Sequence, residues 1–118
     1  MLARLARASA DIDAAETLIL RDAETLDTAA QPANLSAVQR AAIQRDFAFA
    51  AQSCRRAVAS LFEAAGGSGI YDSSALQRVW RDVNAAAAHT AFNWDNAATG
   101  FGRARLGLPP SRFSGPRR

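Results

Sequence analysis

The sequence predicts an all-α fold, an up-and-down helical bundle of about three long helices with a short C-terminal extension. Three observations carry this expectation. Alanine supplies about a quarter of the 118 residues and loses no side-chain entropy in a helix. Apolar residues recur at spacings of three, four and seven, the helical period, rather than two. The 7 glycines and 4 prolines cluster between the periodic stretches instead of interrupting them. A chain of this length buries one modest core. Residues 1–110 therefore read as one domain, and 111–118, "SRFSGPRR", as a disordered basic tail.

In the first stretch Leu5, Ile12, Ile19 and Leu26 repeat every seven residues, with Met1, Ala8 and Ala15 between them. That is a seam suited to neighbouring helices. Asp22 falls on the seam; near the helix end it is expected to reach solvent, with a polar contact to a partner as the alternative. Nothing before Leu2 resembles a cap. The stripe is already running at Met1, so the helix looks cut from something longer.

"TAAQPANLS" breaks the pattern, and Ser36 with Gln39 then matches a capping box. The second helix carries Ile43, Phe47, Ala50, Cys54, Ala57 and Leu61 on one stripe, widened by Phe49, Val58 and Phe62. Arg40, Gln44, Arg55, Arg56 and Glu63 lie largely outside it. Cys54 reads as a small core residue. The helix closes at "AAGG", where a glycine can adopt the left-handed cap conformation. The third helix follows Tyr71, with Ser73 or Ser74 as its cap and Ser74–Gln77 as a second capping box. At about 100° per residue, Leu76, Val79, Trp80, Val83, Ala87, Thr90 and Trp94 share its core face. Arg78, Asp82, Ala85 and His89 share the opposite face, with Arg81 nearby. That face is either a solvated surface with an Arg78–Asp82 pair or a platform for a flat ligand.

Composition excludes several classes. One cysteine rules out an internal disulfide, and one histidine without HExxH or CxxC argues against a metal centre. All 14 basic residues are arginine, which reads as coding bias, and the net charge of +3 with no aromatic-interleaved basic groove argues against nucleic acid. No apolar run approaches the ~18 residues of a membrane span, and "MLARLARASA" is followed by Asp11 and Asp13 rather than a signal-peptide core. A cytoplasmic setting is expected.

The stretch "LFEAAGGSGIYDSSALQRVWRDVNAAAAH", continued by "TAFNWDNAATGFGRARLGLPP", resembles the C-terminal helical domain of the acyl-CoA dehydrogenase superfamily. The resemblance is narrower still, to the branch of flavin-dependent two-component aromatic monooxygenases. It rests on the Ala-Gly-Gly turn, Leu76-Gln77-Arg78, Arg81-Asp82, His89 seven residues on, and the Gly-Arg…Leu-Gly-Leu-Pro ending. It implies a tetrameric flavoenzyme fed with reduced FMN or FAD by a separate flavin reductase, hydroxylating an aromatic small molecule with oxygen. It also implies that His89 is the catalytic-type residue near the flavin ring and substrate, assisting substrate deprotonation or stabilising the oxygenated flavin. Gly66 and Gly67 would then approach the ligand or a neighbouring subunit, and Arg78 and Arg81 would meet flavin phosphate or a carboxylate. "NAAAAHT" has no Glu where the dehydrogenase branch places its base, which favours the monooxygenase branch. The alternatives are an acyl-CoA dehydrogenase C-terminal domain, or a non-catalytic helical module that self-associates. The β-domain and N-terminal helical domain of such enzymes are not in these 118 residues, so the chain alone is not expected to catalyse.

Overall fold

The computed structural model of the chain describes residues 1–66 and 75–111. Every regular element among them is helical: α1 (Leu2–Ala29), α2 (Ala37–Ala64), α3 (Ala75–Ala87) and α4 (Trp94–Arg105). Single 3-10 turns at Pro32–Asn34 and Thr90–Phe92 join α1 to α2 and α3 to α4. The expected all-α bundle is present. None of these helices is long and apolar enough to cross a membrane.

Local chemistry explains the ends. The Ser36 hydroxyl accepts the Gln39 N–H at 3.0 Å and Gln39 Oε1 accepts the Ser36 N–H at 2.8 Å, so both arms of the capping box hold α2. Gly66, at φ +62°, turns the chain out of α2 in the left-handed region. Ala30 does the same after α1 at φ +66° without a glycine's freedom. The Asn34 side chain secures that corner by donating to the Ala29 carbonyl at 2.6 Å. Gly67, Ser73, Ser74 and residues 112–118 of the tail lie outside the described residues.

Three ion pairs set α1 antiparallel to α2: Arg4–Glu63 at 3.3 Å, Asp11–Arg56 at 3.8 Å and Arg21–Asp46 at 2.8 Å. Between them the buried seam is made of small and polar residues, Ala8, Ala15 and Asp22 on α1 and Asp46, Ala50, Ser53 and Ala57 on α2. This corrects the expected seam. Its alanine half is buried, while Leu5, Ile12 and Ile19 remain 54%, 42% and 43% exposed. The two halves sit three residues apart, about 60° around the helix, and α2 covers only one edge of the stripe. Asp22 does not reach solvent either. It is 3% exposed, because α2 brings Asp46 against it.

Away from that seam α2 buries Ala48 and Val58, and the half-buried Phe49 and Phe62 lie where α3 and α4 pack. Phe62 stacks on Trp80 of α3 (centroids 5.2 Å apart, 25° between planes), and Phe49 meets Trp94 of α4 at 6.3 Å. Cys54 is half-buried; desolvation and the Asp11 charge push its thiol up, which keeps it protonated and suits a packing role.

Candidate active site

The predicted third helix is two helices. α3 stops at Ala87, where the His89 N–H bonds the Ala86 carbonyl in a tighter turn. His89 then leaves the helical path and caps the Thr90–Phe92 turn, its Nδ1 accepting the Ala91 N–H at 3.1 Å. Asn93 caps α4 by accepting the Asn96 N–H at 3.0 Å, with Asp95 in the first turn where the helix dipole favours an anion. Thr90 and Trp94 therefore do not continue the face of α3, and His89 is not on one helical surface with Arg78 and Asp82. Two caps four residues apart override the helical preference of the alanine run.

The turn that carries His89 forms one wall of a cleft of about 670 Å³. Phe92, Asn93, Trp94 and Asp95 extend that wall, and the facing wall comes from the middle of α2 through Phe49, Gln52, Arg55 and Arg56. Arg55 and Arg56 are both exposed, and Arg56 is tied back, donating to Ser53 Oγ at 3.3 Å and pairing with Asp11. His89 is itself exposed, its ring 6.0 Å from that of Phe92 and inclined at 60°. A backbone N–H can only donate, so Nδ1 must be the acceptor, and a neutral His89 carries its proton on Nε2. The side chain is thus fixed as a hydrogen-bond donor on the edge not used by the cap.

The other expected site residues lie elsewhere. Arg78 lies in the first turn of α3 and Arg81 at its middle, both exposed. They do not line the cleft, and among the described residues no ion pair joins Arg78 to Asp82. Gly66 is exposed, and a Cβ built there would meet nothing within 4 Å. Its conformation serves the helix end. The cleft residues of α2 and Asn93 and Asp95 were not singled out from sequence; the Asn93-x-Asp95 cap signature was the local sign of a new helix start. Among the described residues no group of three or more His, Cys, Asp or Glu side chains is placed to hold a metal ion.

Comparison with known proteins agrees with this architecture. The family model described as acyl-CoA dehydrogenase, C-terminal domain, matches residues 1–94. The chain is 37% identical over 112 residues to the oxygenase component of an FADH(2)-dependent resorcinol hydroxylase from Rhizobium sp., covering 91% of the chain and 27% of that protein. Among solved structures, XiaF from Streptomyces sp., in complex with FADH2 and glycerol, superposes with a TM-score of 0.85 at 33% identity, over 92% of the chain and 28% of XiaF. The HsaA monooxygenase from M. tuberculosis gives 0.81 at 31% identity, over 92% and 29%. The chain thus spans little more than a quarter of the length of these relatives. The family model spans α1, α2 and α3, well over half of the chain, and the chain therefore belongs to the acyl-CoA dehydrogenase C-terminal domain family.

Proposed function

We propose that the chain forms the C-terminal helical bundle of the oxygenase component of a two-component, flavin-dependent monooxygenase, and that His89 is its catalytic contribution. The observation that carries the reading is the match of 91% of the chain to such an oxygenase component, with His89 held as a donor at the mouth of the cleft. The donor set fits a flavin or an aromatic substrate. Phe49, Phe92 and Trp94 offer flat apolar surface, and Gln52, Asn93 and Arg55 offer hydrogen-bond donors around it. Reduced FMN or FAD, delivered by a partner reductase in the cytoplasm, supplies the electrons that activate oxygen. His89 would donate from Nε2 to an oxygen atom held in the cleft, its orientation preset by the Ala91 N–H. In this reading Arg78 and Arg81, exposed on α3 outside the cleft, would take a phosphate or carboxylate across a subunit boundary, and Gly66 and Gly67 remain the positions where a ligand or neighbouring subunit would approach the backbone closely.

A second reading, a non-catalytic self-associating module, is favoured by the exposed Leu5, Ile12 and Ile19 edge of α1. One experiment separates the two. The chain replaces the matching C-terminal segment of the resorcinol hydroxylase oxygenase component, and resorcinol hydroxylation is measured with reductase present. His89→Asn keeps an acceptor for the Ala91 N–H but removes the Nε2 donor; His89→Gln can keep a donor near the Nε2 position. Hydroxylation should fall at least tenfold in His89→Asn and less in His89→Gln, with assembly unchanged in both. Full activity in His89→Asn removes His89 from the chemistry. A chimera that assembles yet binds no flavin leaves the self-association reading standing.

A further inference from the structure

Asp22 and Asp46 lie side by side in the α1–α2 interface, 3% and 1% exposed. Their surroundings treat them unequally. Asp46 receives Arg21 Nη2 at 2.8 Å, Arg45 Nη2 at 2.8 Å and Arg45 Nε at 2.9 Å. Asp22 has only Arg21 Nε at 3.9 Å, too long for a hydrogen bond, and its Oδ2 is buried without a donor. α4 adds the ring of Phe101, 4.2 Å from the Arg45 guanidinium, which holds that arginine on Asp46 and brings no charge of its own. A buried carboxylate oxygen with no donor is costly, whereas a carboxylic acid at the same place is itself a donor.

We propose that Asp22 and Asp46 form a proton-binding site inside the helix pair, with one proton carried by Asp22 and donated to Asp46, and that its release weakens the hold of α1 on α2. With the proton in place, Asp22 becomes a donor beside Asp46, the carboxylate with which it shares Arg21 and whose side chain is its hydrogen-bond partner. Without it, two carboxylates face one another, and Arg21 and Arg45, both with access to water, are committed to one of them. Burial first, and then the Asp46 charge, raise Asp22 from 3.8 to about 6. The folded chain therefore keeps a proton that the unfolded chain loses near pH 4. The stabilisation is complete below about pH 4 and is lost as pH rises through about 6.

Asp22→Asn tests the site, because an amide donates to Asp46 at every pH. Urea unfolding of the 118-residue chain and the variant is followed at pH 4 and pH 7.5. The ratio of their unfolding equilibrium constants should change about a hundredfold between the two, the variant gaining on the parent at the higher pH. A ratio independent of pH overturns the proposal. Carboxyl ¹³C NMR of the unmodified chain gives an answer that does not need the variant to fold. One aspartate should titrate near pH 6, and titration of all of them in the ordinary carboxylate range overturns the proposal equally. Neither measurement involves flavin, so their outcome is independent of the proposed activity.

Discussion

Ala15→Leu should destabilise the chain by about 3 kcal/mol, although it adds apolar surface to a helix. The Asp11–Arg56 and Arg21–Asp46 pairs bring Ala15 level with Gln52 and Ser53, and both Ala15 and Ser53 are buried. Helix axes pack 8–10 Å apart depending on the side chains between them, and a seam of alanine and serine belongs at the short end. Three extra carbons there force strained rotamers or push the helices apart, at about 1–3 kcal/mol. Separation would also stretch the 2.8 Å Arg21–Asp46 pair less than two turns away, which takes the loss to the top of that range. Ile19→Ala provides the contrast. Ile19 is only partly covered, so deleting three carbons there should cost about 1 kcal/mol. Urea unfolding read by far-ultraviolet circular dichroism checks both, and with a slope of about 1.5 kcal/mol/M the leucine variant should shift the midpoint by about 2 M. A leucine variant as stable as the parent, with a large loss in Ile19→Ala, would show that α1 packs on α2 through its Leu/Ile edge and refute the register.

Asp46→Ala should lower stability by about 2 kcal/mol at pH 7. This is less than a fully buried pair would lose, because Arg21 and Arg45 retain water and Asp22 is freed of a like charge; midpoint shifts in urea measure it. Gly66→Ala should cost about 1 kcal/mol through its positive-φ backbone alone, since the added methyl meets nothing, and Ala30→Gly should gain a similar amount at the corner after α1; thermal melts of the two should move in opposite directions.

Features fixed within one turn of chain were legible from sequence: the Ser36–Gln39 box, the glycine cap after α2 and the proline-bearing loop all stand where the residues put them. What failed depended on residues distant in sequence. A seven-residue repeat marks a stripe but not which edge faces the neighbour: the pattern puts Leu5 and Ile12 on the seam with Ala8 and Ala15, and α2 covers only the alanine edge. Asp22 was expected at the surface because its counterpart, Asp46, is far away in the chain. The alanine run before His89 hid a helix break that only the paired caps at His89 and Asn93 disclose. His89 was singled out, but Arg55 and Arg56 come to face it only when α2 folds back beneath the turn.

The placement of the two tryptophans has a practical consequence. Trp80 stacks on Phe62 and Trp94 leans on Phe49, so both indoles report the packing of α3 and α4 on α2, and α1 carries neither. Circular dichroism counts every helical turn, the 28 residues of α1 included. The chain is thereby its own two-channel test of cooperativity. Coincident fluorescence and dichroism transitions mean that α1 leaves with the rest, and separated ones mean that the hairpin opens while the aromatic half stays closed.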